Sequence, residues 1–108
     1  MSTLSTHVLD TALGRPAQGV RVTLSRAGKE IGSAITDADG RTRDLQGKAP
    51  LAEGGYDLTF SVGAYFAAAK RETFYDRIVI QFKIGSTAQH YHVPLLLSPF
   101  GYSTYRGS

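Results

Sequence analysis

The sequence predicts an all-β fold, an antiparallel sandwich or barrel with one short helix, on three observations. Apolar residues recur with period two along several segments. Clusters of Gly, Pro, Asp and Ser separate those segments at short intervals. One alanine-rich stretch breaks the alternation. Strict alternation turns one set of side chains inward and the other outward on a half-buried strand. Short strands at regular spacing with turn residues between them point to a sandwich or barrel.

The elements follow in order. Residues 4–10 are expected to form the first strand, with Leu4, Thr6 and Val8 on one face and Ser5, His7 and Leu9 on the other. Gly14-Arg15-Pro16 is a turn signal. Val20, Val22 and Leu24 alternate with Arg21, Thr23 and Ser25 in a strand at 20–26, and a further strand is expected at 30–36. Asp37-Ala38-Asp39-Gly40 turns the chain into a strand at 41–45. After Glu53-Gly54-Gly55, the residues Tyr56, Leu58, Phe60 and Val62 mark one face of a strand at 56–62. Residues 63–71 are alanine-rich and end in Lys70-Arg71, a helix with cations near its negative end. Ile78, Ile80, Phe82 and Ile84 define a strand at 77–84. Strands at 89–97 and 102–106 flank the turn Ser98-Pro99-Phe100-Gly101.

The 108 residues suit one domain spanning 1–108. There is no cysteine, which excludes disulfides and thiolate metal sites. Twelve Lys and Arg against nine Asp and Glu leave a net charge of +3, with no cationic run longer than Lys70-Arg71. That scatter does not make a nucleic-acid footprint. No apolar run approaches the ~20 residues that span a bilayer, so no membrane partner is expected. The first residues lack the basic and apolar segments of a signal peptide, and a cytoplasmic setting is the expectation.

All three histidines fall on faces turned away from the predicted core. His7 lies opposite Leu4 and Val8. In His90-Tyr91-His92-Val93-Pro94-Leu95, the apolar set is Tyr91, Val93 and Leu95, so His90 and His92 share the other face. Adjacent strands would bring these imidazoles together. Three readings stand: histidines on a solvated face, a three-imidazole zinc site with an open position, and metal-free acid–base chemistry by groups that titrate near pH 6.5.

Asp37-Ala38-Asp39-Gly40-Arg41 has only the opening of a calcium loop. It lacks a third carboxylate, and Gly40 at a positive φ would explain it as a turn. Arg41, on the first strand residue after that turn, has a fixed origin. Its planar fork suits a ring with several oxygens or a developing oxyanion. There is no nucleophile elbow and no phosphate loop, so any hydrolysis would use water directly.

Leu4-Ser5-Thr6-His7-Val8-Leu9-Asp10, followed by Gly14-Arg15-Pro16-Ala17, resembles the N-terminal signature of the transthyretin family. Asp39-Gly40-Arg41 resembles its middle signature. His90-Tyr91-His92-Val93-Pro94-Leu95-Leu96-Leu97-Ser98-Pro99 and Gly101-Tyr102-Ser103-Thr104-Tyr105-Arg106-Gly107-Ser108 resemble its C-terminal half. The terminal Tyr-Arg-Gly-Ser resembles the signature of the family's hydrolase branch.

The resemblance implies a prealbumin-like sandwich of two four-stranded antiparallel sheets with one short helix, assembled as a homotetramer around a channel. It implies hydrolysis of 5-hydroxyisourate, without a cofactor, to 2-oxo-4-hydroxy-4-carboxy-5-ureidoimidazoline. It carries catalytic roles onto His7, Arg41, His92 and Ser108, and substrate contacts onto His7, Arg41, Tyr105 and Ser108. His90 is expected to support them from behind. No metal is expected, because the histidine-bearing strand has no Asp or Glu to complete a zinc site. A carrier of small hydrophobic ligands in the same channel is the alternative. The histidines and the terminal motif argue against it.

Overall fold

The computed structural model describes residues 2–47, 51–85 and 89–107. Nine strands and one helix appear in them, in the order β1 (Thr3–Asp10), β2 (Arg15–Pro16), β3 (Arg21–Arg26), β4 (Lys29–Ile35), β5 (Arg41–Thr42), β6 (Gly54–Phe60), α1 (Val62–Ala68), β7 (Ile78–Ile84), β8 (His90–Ser98) and β9 (Gly101–Thr104). They form two sheets. One runs β4-β3-β6-β7. The other runs β2-β1-β8-β9, with β5 also paired to β1.

The alternation read from the sequence is the alternation found. On β1, Leu4, Thr6, Val8 and Asp10 are buried while Thr3, Ser5, His7 and Leu9 are only partly covered. On β8, Tyr91, Val93, Leu95 and Leu97 join the core, and His90 is exposed. Val22 and Leu24 of β3, with Tyr56, Leu58 and Phe60 of β6, meet them from the other sheet. Burial of a large apolar side chain contributes about 1.5–3 kcal/mol, and Phe60, Phe66, Leu4, Leu24, Leu58, Leu95 and Leu97 are all fully buried. This layer therefore fixes which faces of β1 and β8 look outward.

Several features depart from the sequence reading. The sheet containing β1 is not wholly antiparallel. β1 and β8 run parallel over eight residue pairs, from Thr3 opposite His90 to Asp10 opposite Leu97. A parallel pair needs a long crossover, and here the other sheet and the helix lie in between. That sheet also counts five strands rather than four. Arg15–Pro16, expected in a turn, pairs with Asp10 and Leu9, the bend itself closing through a Gly14 N–H to Asp10 O bond of 2.8 Å. Conversely, the strand expected at 41–45 stops at Thr42. Asp44 takes a positive φ of 54°, which cannot continue a strand.

The helix is shorter than expected and starts a residue earlier. Val62 and Phe66, four residues apart, bury one stripe. Lys70 and Arg71 lie beyond its last turn, so they do not serve the helix dipole. Lys70 has φ 56°, and the chain turns back there. Arg71 reaches Asp10 instead, with Nη1 2.7 Å from Oδ2. Tyr65 Oη donates to the same oxygen at 2.8 Å, and Leu13 N–H donates to Oδ1 at 3.1 Å. Burial pushes the Asp10 carboxyl up, but the hydrogen bonds from Arg71, Tyr65 and Leu13, with the Arg71 charge, outweigh it and hold the group below the ordinary range.

Candidate active site

The parallel seam decides where the histidines go. Paired residues of neighbouring strands project from the same face, so Ser5 stands beside His92, Thr3 beside His90, and His7 beside Pro94. On the other side of β1, Arg41 is the partner of His7. One outward strip thus gathers His90, His92, Ser5, His7 and Arg41 from three strands.

Arg41 is held there by its neighbours in sequence. Asp37 accepts the N–H of Asp39 at 2.9 Å and of Arg41 at 3.0 Å through Oδ1. The Arg41 N–H is the main reason the Asp37 carboxyl lies below its ordinary range. Gly40 has φ 76°, as the turn reading expects, and a Cβ there would come 2.4 Å from Val8 O. Only glycine lets the turn lie this close to β1, where Val8 N–H donates to Gly40 O at 2.7 Å. Thr42, next along, shares a 3.0 Å hydroxyl hydrogen bond with Thr6 beneath the sheet. The carboxylate of Asp37 is thus engaged by the turn's own amides, as a turn rather than a calcium loop requires.

His92 is the most constrained imidazole. Its Nδ1 lies 2.8 Å from Ser5 Oγ. Its backbone pairs with the chain end, Gly107 N–H donating to His92 O at 2.8 Å. A Cβ on Gly107 would fall 2.5 Å from His92 Cδ2. Glycine is required at this point for space, not for an unusual backbone angle. Burial lowers the His92 pKa below the ordinary imidazole value, and the positive charges of Arg41, His7 and His90 press in the same direction. Among the described residues, no Asp or Glu forms an ion pair with any of these four side chains.

The tail before Gly107 is anchored separately. Arg106 stacks its guanidinium 4.7 Å above the Tyr91 ring and donates to Gln89 Oε1 at 2.7 Å. Thr104 Oγ1 donates to Pro94 O at 2.7 Å. Tyr105 is 58% exposed and lines a cleft of 160 Å³ with His92, Arg106, Tyr91, Ile80 and Phe82. Ser108 lies outside the described residues.

The structure therefore brings His7, Arg41, His90 and His92 onto one face and carries the chain end up to His92. It leaves Tyr105 largely in solvent. Sequence reasoning passed over Ser5, Thr3 and the packing of Gly107. Ser5 and Thr3 share the period of His7, but their value depends on the register with β8, which alternation does not give. The three histidines do not converge as a metal-ligand set: among the described residues, no three His, Asp or Glu side chains are grouped to hold an ion.

A closed sandwich with one polar, cation-rich strip along a parallel seam defines the class, and comparison with known proteins gives the family. The chain belongs to the HIUase/Transthyretin family, whose sequence pattern matches residues 4–107. It is 49% identical to the 5-hydroxyisourate hydrolase of Caulobacter vibrioides, with all of both chains covered. Among solved structures, 5-hydroxyisourate hydrolase from Klebsiella pneumoniae superposes with a TM-score of 0.93 at 50% identity, again covering both chains fully. Sea bream transthyretin in complex with thyroxine superposes with a TM-score of 0.88 at 29% identity, covering 96% of this chain and 93% of that one.

Proposed function

We propose that this chain hydrolyses 5-hydroxyisourate, opening a cyclic amide by general acid–base activation of water. The observation that carries the proposal is the register that puts His92, beside Ser5, on the same outward face as the His7–Arg41 pair. An imidazole whose pKa is lowered by burial stands on the same strip as a planar cation. The full-length relatives named for this reaction support it. In this reading His92 Nε2 takes a proton as water attacks the amide carbonyl carbon. Arg41 binds ring oxygens and stabilises the oxyanion of the tetrahedral intermediate. The C–N bond then breaks, the nitrogen receives a proton from an imidazolium, and the product leaves as a carboxylate. His7 orients the ring or water from the far side of the strip. The Ser108 hydroxyl aligns water and Tyr105 contacts substrate, both roles resting on the resemblance.

That no carboxylate is ion-paired on the strip among the described residues supports anion or oxyanion binding over the carriage of a hydrophobic ligand, which would favour an apolar wall. We further propose a homotetramer in a cytoplasmic setting. β9, an edge strand without proline or lysine, would pair with its copy in another subunit. The test is direct. Protein mixed with freshly generated 5-hydroxyisourate should speed the decay of its ultraviolet absorbance, before and after dialysis against a strong chelator. No acceleration by the untreated protein would reject the hydrolase reading. Loss of rate on chelation, restored by zinc, would reject the metal-free mechanism.

A further inference from the structure

One hydroxyl on the strip has more partners than a surface serine needs. Ser5 Oγ lies 2.9 Å from His90 Nε2 and 2.8 Å from His92 Nδ1, and His90 Nδ1 meets Thr3 Oγ1. A hydroxyl has one proton to give. Ser5 can donate to one ring only, and a proton path between the rings requires it to accept from the other. His92 Nε2 has no hydrogen-bond partner among the described residues. A single direction leaves that nitrogen unprotonated, as a base must be. His92 Nδ1–H donates to Ser5, Ser5 O–H donates to His90 Nε2, and His90 Nδ1–H donates to Thr3.

The geometry points to Ser5 and His90 as a proton relay behind His92, moving the positive charge of catalysis from a partly covered ring to an exposed one. The inference rests on the hydrolase reading above. When His92 Nε2 takes a proton from water, the Nδ1 proton passes to Ser5 Oγ while Ser5's own proton passes to His90 Nε2. His92 ends neutral with its proton on Nε2, and His90 ends as the imidazolium. One proton has been taken and one charge moved. The reverse passage restores His92 Nδ1–H as Nε2 gives its proton to the leaving nitrogen.

The surroundings give the relay a purpose. The charged and titratable groups facing His92 are His7 on β1, Arg41 on β5 and His90 on β8. Lys83, Tyr91, Tyr105 and Arg106 line the adjoining cleft. A cation at His92 is opposed by burial and by Arg41 and His7, whereas His90 is exposed to water. Moving the charge one ring outward removes part of that opposition at the moment the intermediate forms. Ser5 and His90 touch no reacting atom in this scheme, so they act as positioning and relay residues.

The experiment separates a relay from a hydrogen bond that merely orients the ring. His90→Gln keeps polar atoms for Ser5 and Thr3 but cannot become a cation. Ser5→Ala removes the bridge. Each should lower kcat roughly tenfold, less than the 10²–10⁴ of a general acid–base group itself, with KM little changed. The double variant should be no slower than either single one, because both break the same path. Wild-type kcat in His90→Gln, or losses that multiply in the double variant, would overturn the relay. Nitrogen NMR on the unliganded protein supplies the second arm. Wild type should show His92 protonated on Nδ1 and mutually dependent titrations of His90 and His92, and Ser5→Ala should uncouple them. Titrations unaffected by Ser5→Ala overturn the relay even if hydrolysis is normal. Uncoupling in a protein that never hydrolyses 5-hydroxyisourate upholds the proton path and overturns only the hydrolase reading.

Discussion

Strand β1 carries two polar clusters, and they are built on opposite rules. At its end, Asp10 is fully buried and closed on every side by Arg71, Tyr65 and the Leu13 amide, a carboxylate matched by a cation and two neutral donors. A few residues earlier, His7 and the Ser5–His92 pair stand with Arg41 on the outward face, with no carboxylate ion-paired to them among the described residues. The first cluster is complete without a ligand. It ties the segment after α1 to the first strand and asks nothing of solvent. The second has donors and positive charge left over, and one imidazole nitrogen without a described partner. A satisfied network contributes to stability. An unsatisfied one on a rigid strand is where an anionic or oxygen-rich ligand would be received.

The comparison breaks if the open cluster turns out to hold the fold. His92→Ala should lower kcat by about 10²–10⁴ while the melting temperature stays close to wild type, since the ring is only partly covered. Steady-state kinetics beside a thermal melt reads both, and a large melting shift would make His92 a structural residue. Arg71→Ala should do the reverse. It leaves Asp10 buried without its cation, at a cost of about 2–3 kcal/mol, below the ~3–5 kcal/mol of a fully buried pair because Arg71 is itself partly solvated. Urea titration would show this, and kcat per folded molecule should hold. Stability within 0.5 kcal/mol (an order-of-magnitude bound for surface changes) would mean that the closed cluster is ornamental.

Two smaller effects sharpen the contrast. Gly107→Ala places a methyl against the His92 ring, tilting it from Ser5. A misplaced catalytic group loses rate steeply with displacement, so kcat should drop about tenfold with an unchanged melting curve. An active Gly107→Ala enzyme would show that the ring position is not set by the chain end. Finally, the lowered His92 pKa keeps the base unprotonated to lower pH than an ordinary imidazole. The acid limb of kcat/KM should then lie below ~6.5, and Arg41→Gln should move it up by removing a neighbouring cation. The linked stability has the same sign. It is present above the unfolded value near 6.5 and is lost as pH falls toward the folded pKa, because the unfolded chain binds the proton first. An acid limb above 7 would contradict the assignment of His92 as the base.

Much of this was legible beforehand because period two is a strong constraint. Alternation alone turned His7, His90 and His92 outward, and Asp37 to Gly40 alone fixed a turn ahead of Arg41. What alternation cannot supply is who neighbours whom. The parallel β1–β8 pairing has no local signature, and Ser5 became noticeable only once that register set it beside His92. The clusters of Asp10 and Arg71 were hidden for a similar reason. Asp10 looked like a strand end and Arg71 like a helix-dipole cation, because a contact 61 positions apart leaves no trace in either neighbourhood. Gly107 stood in the sequence as part of the terminal signature, and its need for glycine is a matter of space against an imidazole.

The parallel seam also sets an order of events during folding. Ser5 and His92 are 87 positions apart, and a pairing of that separation forms late because a long loop must close first. The sheet β4-β3-β6-β7 is built from strands that follow one another with shorter connections, so it can assemble while β1 still waits for its partner. During synthesis β1 leaves the ribosome long before β8, its outward face already carrying His7. A chain interrupted anywhere before β8 therefore has part of its core but no histidine strip. Catalytic competence arrives in one step, at the moment the sandwich closes, and a hydrolysis assay on refolding protein should lag the appearance of β structure.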